Sequence, residues 1–120
     1  MSRTRGDAAE DAAWRLLEAR GCNLLARNYR CRLGEIDLVV RDGDSLVFVE
    51  VRARRDDTHG GAAASIGFGK QRRLVAAARH FLMTHPRAAG LPARFDVVTL
   101  SGPAGKEDAR WIRAAFDGGA

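Results

Sequence analysis

Between Glu35 and Arg52 the chain reads EIDLVVR, then DGDS, then LVFVEVR, two runs rich in β-branched residues around a Gly-containing turn. This predicts a hairpin with strands at Glu35–Arg41 and Leu46–Arg52. Side chains two apart share a face, and here both faces are apolar. Ile36, Leu38 and Val40 alternate with Val39, while Val47, Val49 and Val51 alternate with Leu46 and Phe48. Strands of this kind are covered on both sides, so the chain must pack helices against the sheet they belong to.

The remaining segments supply those elements. Asp7 opens a helix, with Glu10 three residues on in the D-x-x-E form of a capping box. That helix runs to about Arg20, stops at Gly21, and carries Ala9, Ala13, Leu16 and Leu17 as its stripe with Trp14 at the edge. Cys22–Cys31 is a mixed run suited to an outer strand. A second helix spans Phe68–His85, with Leu74, Val75, Ala78, Phe81 and Leu82 as its stripe and Pro86 and Gly90 past its end. Arg94–Leu100 reads as a further strand, and Trp111–Phe116 as a short terminal element. The order α-β-β-β-α-β predicts an α/β fold with a mixed sheet flanked by helices. A chain of 120 residues forms one domain of this kind. Residues 1–6 are expected to be a frayed terminus and residues 53–67 a mobile loop, because that stretch is long and lacks periodicity.

Composition narrows the class. With 46% hydrophobic and 29% charged residues the balance is that of a globular protein. No apolar run approaches the ~20 residues of a membrane helix, and no apolar segment follows the charged N-terminus. Neither membrane insertion nor secretion is expected, and the cytoplasm is the expected location. Cys22 and Cys31 then read as reduced thiols that pack as small apolar residues. His59, His80 and His85 are too scattered to join them in a zinc site. The net charge is +5, and 18 of the 20 basic residues are arginine. Arginine binds phosphate bidentately and stacks on bases, which suits a nucleic-acid partner. A GC-rich genome would write the same excess.

Charges in central strands are costly unless paired or bound to metal. Glu35 and Asp37 share one face of their strand, and Glu50 and Arg52 one face of the next. A two-residue loop of Gly43-Asp44 sets Asp37 opposite Glu50 and Glu35 opposite Arg52. A loop of Asp42-Gly43 shifts the register but keeps all four on one face. Opposite residues have Cβ atoms about 4.5–5.5 Å apart, close enough for two carboxylates to repel unless a hard divalent cation lies between them. Asp37 and Glu50 are therefore candidate ligands for Mg²⁺ or Mn²⁺. The competing reading is a salt-bridge cluster in which Arg52 pairs Glu35 or Glu50. Glu10 borders the buried stripe of its helix and either joins the acids or closes the capping box.

The segments Gly34-Glu35-Ile36-Asp37-Leu38, Val47-Phe48-Val49-Glu50-Val51-Arg52 and Arg94-Phe95-Asp96-Val97-Val98 resemble, in order, the YraN family of bacterial proteins. That family looks like the PD-(D/E)XK nuclease fold, of restriction-endonuclease type, and is similar in layout to archaeal Holliday-junction resolvases. The resemblance implies a metal-dependent endonuclease that hydrolyses phosphodiester bonds in DNA, branched or single-strand-containing DNA included. It carries Glu10 over as the helix carboxylate, Asp37 and Glu50 as metal ligands, and Arg52 as the residue at the usual lysine position. Arginine stays protonated and cannot act as a base, so its expected role is to hold the scissile phosphate. Lys70, at the start of the second helix, is a candidate for the missing amine, although a surface position is its plainer reading. The resemblance also admits a homodimer, with no apolar strip to identify its face.

Arg52, Arg54, Arg55, Lys70, Arg72 and Arg73 bracket the 53–67 segment and form the candidate nucleic-acid-binding set. No base-reading motif is present, so recognition by shape is expected. The alternative function is a non-catalytic nucleic-acid-binding module that keeps the nuclease-like fold. Trp14, Trp111 and Phe95 are expected to pack the core, and Asp96 to pair with an arginine.

Overall fold

The computed structural model describes residues 5–53, 66–102 and 108–117. Helix α1 (Arg5–Ala19) leads into β1 (Asn23–Cys31), β2 (Gly34–Asp42) and β3 (Ser45–Ala53). Helix α2 (Phe68–Thr84), a short 3-10 turn at Pro86–Ala88, β4 (Ala93–Ser101) and β5 (Asp108–Phe116) follow. The strands form one sheet in the order β1-β2-β3-β4-β5, antiparallel except for the parallel β3–β4 pair. This is the expected α/β order with one addition, because Trp111–Phe116 belongs to a full edge strand starting at Asp108.

The expected hairpin register is found. Asp42 pairs with Ser45, so Gly43-Asp44 is the loop. Gly43 takes φ +60°, the left-handed value a two-residue turn of this hand requires at its first position. Helix α1 ends where expected, in a Schellman arrangement. Gly21 has φ +91°, its N–H donates to Glu18 O, and Cys22 N–H donates to Leu17 O. At the other end α1 begins at Arg5, two residues before Asp7. Asp7 therefore lies inside the helix, and the capping-box reading of Glu10 gives way to an inward-facing carboxylate that is 8% exposed.

Two cores flank the sheet. On one face Ala13 and Leu17 of α1 pack with Leu38, Val40, Val47, Val49, Val98 and Leu100. On the other, Leu74, Ala77, Ala78 and Phe81 of α2 pack with Val39, Leu46, Phe48 and Val97. Each fully buried Leu, Val or Phe contributes roughly 1.5–3 kcal/mol, and the two central strands contribute to both cores. The α2 stripe centres on Ala77 and Ala78 rather than Val75, since small residues let the helix approach Phe48, whose ring meets Phe81 edge-on at 5.9 Å. Phe95 stacks between Phe48 and Phe116, and Cys22 is buried against α1, both as expected.

Asp96, fully buried, joins three elements. Its carboxylate accepts hydrogen bonds from Arg94 Nε at 3.0 and 3.2 Å, Trp111 Nε1 at 2.8 Å and Ala114 N at 2.9 Å. Arg94 reaches on to Asp42 Oδ2 at 2.7 Å, tying β4 to the end of β2. Burial alone would lower the Arg94 pKa, but the bonds to Asp42 and Asp96 outweigh it and hold the guanidinium above its usual value. The Ala114 bond crosses the irregular stretch of β5 where the register shifts between Phe95 and Val97 and Ala114 adopts φ +51°. Removing the acid strands two N–H donors and leaves half-buried Arg94 with Asp42 alone, so Asp96→Ala is expected to lose about 2–4 kcal/mol in urea unfolding. A loss below about 1 kcal/mol would show the node to be dispensable.

Candidate active site

The β2–β3 ladder runs from Asp42↔Ser45 to Leu38↔Val49 and stops there. Continued in register, it would set Asp37 against Glu50. Instead the strands part, and Asp37 Oδ2 accepts the Val51 N–H at 2.8 Å, a side chain standing in for a backbone acceptor. The alternation of β2 breaks at the same place, since Ile36 packs in the α2 core and Leu38 in the α1 core. Two acids are thus held in the C-terminal half of β3 and beside it, with Glu50 level with Val97 inside the parallel β3–β4 pair.

Glu50 continues the Leu46–Phe48 side of β3 and so faces α2. Its side chain is 5% exposed, and Lys70 Nζ at the start of α2 lies 2.7 Å from Oε2. Arg52 Nε is 3.8 Å from the same oxygen. That nitrogen is buried and makes no hydrogen bond among the described residues, while the side chain as a whole keeps a quarter of its surface exposed. Glu10 approaches from α1 on the opposite face, and Arg27 of β1 neighbours it at 3.6 Å while bonding Asp11 at 2.8 Å. The acids therefore come from both faces of the sheet and converge where the central strands separate.

Electrostatics single out Asp37. Burial pushes its carboxyl up from 3.8 to about 7; the Glu50 charge, a hydrogen bond with Glu50 and the Glu10 charge add to this, while the Val51 N–H opposes it. A like charge this close favours the protonated form of Asp37. Among the described residues, no group of three or more His, Cys, Asp or Glu side chains is gathered closely enough to cage a metal ion. A hard cation that keeps most of its waters needs only one or two carboxylates, and the Asp37–Glu50 pair meets that requirement.

Of the other sequence candidates, Glu35 does not join the cluster. It is exposed and pairs with Arg30 of β1 at 3.3 Å, because the parting of the strands takes it away from Arg52. Arg72 and Arg73 are exposed on the first turns of α2. Arg54, Arg55 and His59 lie outside the described residues. Lys70 exceeds its surface reading by contacting Glu50 directly. Sequence reasoning missed Arg27, Arg30 and Arg32. With Lys70 and Arg73, Arg30 and Arg32 line a cleft of about 390 Å³ beside the acids. A tight β1–β2 turn would have announced them, since it brings the β1 arginines alongside Glu35. A second, more apolar groove of about 470 Å³, between α2 and the Phe95–Phe116 stack, lies away from this chemistry.

The model of the uncharacterised protein family UPF0102, the YraN family, matches residues 9–100. The chain belongs to this family. A UPF0102 protein of Nitrosococcus oceani is 49% identical over 114 residues, covering 95% of this chain and 92% of its own. One from Xanthomonas oryzae is 55% identical over 112 residues, covering 93% and 90%, and one from Paracidovorax citrulli is 53% identical over 122 residues, covering 98% and 86%. The match spans α1 to β4 and includes Glu10, Asp37, Glu50, Arg52 and Lys70. Among the described residues no helix of this UPF0102 protein is long and apolar enough to cross a membrane.

The raised Asp37 pKa has a thermodynamic consequence. The protonated carboxyl stabilises the fold fully below pH 3.8, and that contribution is lost as pH rises through about 7. Asparagine keeps the acceptor for Val51 N–H and does not ionise. In metal-free buffer, Asp37→Asn should gain stability over the wild type between pH 5 and pH 8, by on the order of 2 kcal/mol. Urea midpoints across that range measure it, and parallel curves for the two proteins would contradict the assignment.

Proposed function

We propose that this UPF0102 protein is a metal-dependent endonuclease of restriction-endonuclease-like fold that hydrolyses phosphodiester bonds in DNA in the cytoplasm. The observation that carries the reading is the Asp37–Glu50 pair, in which burial first and the Glu50 charge second push half-buried Asp37 up to about 7, with two cations, Lys70 and Arg52, against Glu50. A structural salt bridge has no need of a second buried acid that must take up a proton. Strongly perturbed carboxylates beside a basic cleft are instead typical of a site awaiting a charged ligand.

In this reading Asp37 and Glu50 hold Mg²⁺ or Mn²⁺. The bound ion would acidify a water and offset charge on the phosphate. The chain's own residues do the rest. Arg52, whose guanidinium is partly exposed and always protonated, would donate to a non-bridging phosphate oxygen as a clamp and not as a base. Lys70, which pairs with Glu50 at 2.7 Å, would be free to contact the phosphate if Glu50 served as a metal ligand. Glu10, backed by Arg27, orients the water side of the acid cluster. Arg72 and Arg73, with Arg54 and Arg55, supply backbone contacts that depend on charge and not on base sequence.

The second reading, a nucleic-acid-binding module without catalysis, has one observation in its favour. Arginine stands at position 52, and Glu50 is already compensated by Lys70 at 2.7 Å. Labelled DNA incubated with Mn²⁺ or Mg²⁺ separates the two. Cleavage should be abolished by EDTA and reduced at least ~100-fold by Asp37→Ala. Binding without cutting, unaffected by Asp37→Ala, would establish the module instead. In either case Arg72→Ala with Arg73→Ala should weaken binding on all sequences alike and lower the salt dependence by about two counterions. Unchanged affinity would remove that surface from the interface.

A further inference from the structure

The β1–β2 hairpin carries a feature that the acid cluster does not use. Its turn is Arg32-Leu33, closed by the Cys31↔Gly34 pair, and Leu33 is 60% exposed at the tip. A lone exposed leucine is ordinary, but this one is held in place and surrounded by positive charge. A Cβ on Gly34 would lie 2.4 Å from the Arg73 carbonyl oxygen, so only glycine lets the tip seat directly on the α2 backbone. The tip therefore lies against the helix that also carries Lys70. Leu33, Arg30, Arg32, Lys70 and Arg73 line the same cleft of about 390 Å³. The one acid of that cleft, Glu35, is neutralised by Arg30 at 3.3 Å, and Arg32 and Arg73 make no ion pair among the described residues.

We propose that Leu33 is an apolar wedge that stacks on an exposed base pair, so that the protein selects DNA in which a duplex gives way to an unpaired strand. The inference deepens the nuclease reading and rests on its DNA-binding part. Apolar side chains inserted at base steps cost unstacking energy, which is smallest where stacking is already interrupted. Arg30, Arg32 and Arg73 would hold phosphates on either side of the step, and Lys70 links the cleft to Glu50. A rigid tip gains more from this than a mobile one, because the leucine is ordered before binding.

The test is binding in EDTA, where no cleavage occurs, of a forked DNA and of a continuous duplex of the same length. Each carries 2-aminopurine at the position of the fork. The wild type should bind the forked DNA about tenfold more tightly and raise its fluorescence as the probe base is unstacked. Leu33→Ala, an exposed position where folding is not at issue, should lose both the preference and the fluorescence rise while its affinity for the duplex stays within about threefold. Equal binding of the two DNAs by the wild type, or an unchanged preference in Leu33→Ala, overturns the wedge and leaves the nuclease reading standing. Failure of the wild type to bind either DNA, both in EDTA and with Ca²⁺ added in its place, overturns both.

Discussion

The site depends on a backbone hydrogen bond that the sheet does not make to itself. Where β2 and β3 separate, the Val51 N–H is given to Asp37 Oδ2 rather than to a carbonyl across the ladder. A buried N–H must find a partner, so the carboxylate is fixed in position by the needs of the main chain. The same parting makes room for Glu50 and lets Glu10 approach from the other face. Had the ladder continued, Asp37 and Glu50 would be an ordinary cross-strand pair on one face, out of reach of α1.

Much of this was legible in the sequence, for identifiable reasons. The Gly-containing turn sets the hairpin register, which brings Asp37 level with Glu50 although the ladder itself ends one pair earlier, at Leu38↔Val49. The two-sided apolar pattern of β2 and β3 requires helices on both faces. Glu10 was ambiguous because a local capping pattern competes with an inward-facing position, and only the actual start of α1 at Arg5 decides between them. Strand β5 escaped because its alternation is broken at Ala114, whose positive φ is supported by Asp96 from the neighbouring strand. The Lys70–Glu50 contact is likewise tertiary. It depends on how closely α2 docks on Phe48, which Ala77 and Ala78 determine and no local motif announces.

The cations at the site divide their work by chemistry. A guanidinium on β3 is always charged and presents several donors, so it can clamp an anion but cannot give up its proton. An ammonium on α2 is a mobile point charge that can hold Glu50 in one state and leave it in another. Placing the lysine on the helix couples the acid pair to the start of α2, and through Gly34 and Arg73 to the β1–β2 turn. The basic cleft and the acid cluster are therefore two parts of one arrangement, held together by the seating of α2.

A comparison within the same sheet argues that the strain at Asp37 is local and not a failure of the fold. Asp96 is a fully buried aspartate in a central strand, against half-buried Asp37, yet it is met by Arg94, Trp111 and the Ala114 N–H, and its cation is shared with Asp42. The chain thus has the means to satisfy an acid fully in its interior. At Asp37 it supplies one backbone N–H and sets two further carboxylates nearby. A fold under no other demand would replace one of those acids with an apolar residue, since removing both charges of a poorly matched buried group is often neutral or stabilising. Retaining them leaves a deficit of positive charge at one place, joined to the arginine-lined cleft by Lys70, which lines that cleft and pairs with Glu50. What fills that deficit must bring its own positive charge or a proton. Under the proposed nuclease function, a divalent cation arriving with a phosphate backbone would do so while matching the basic walls of the neighbouring cleft.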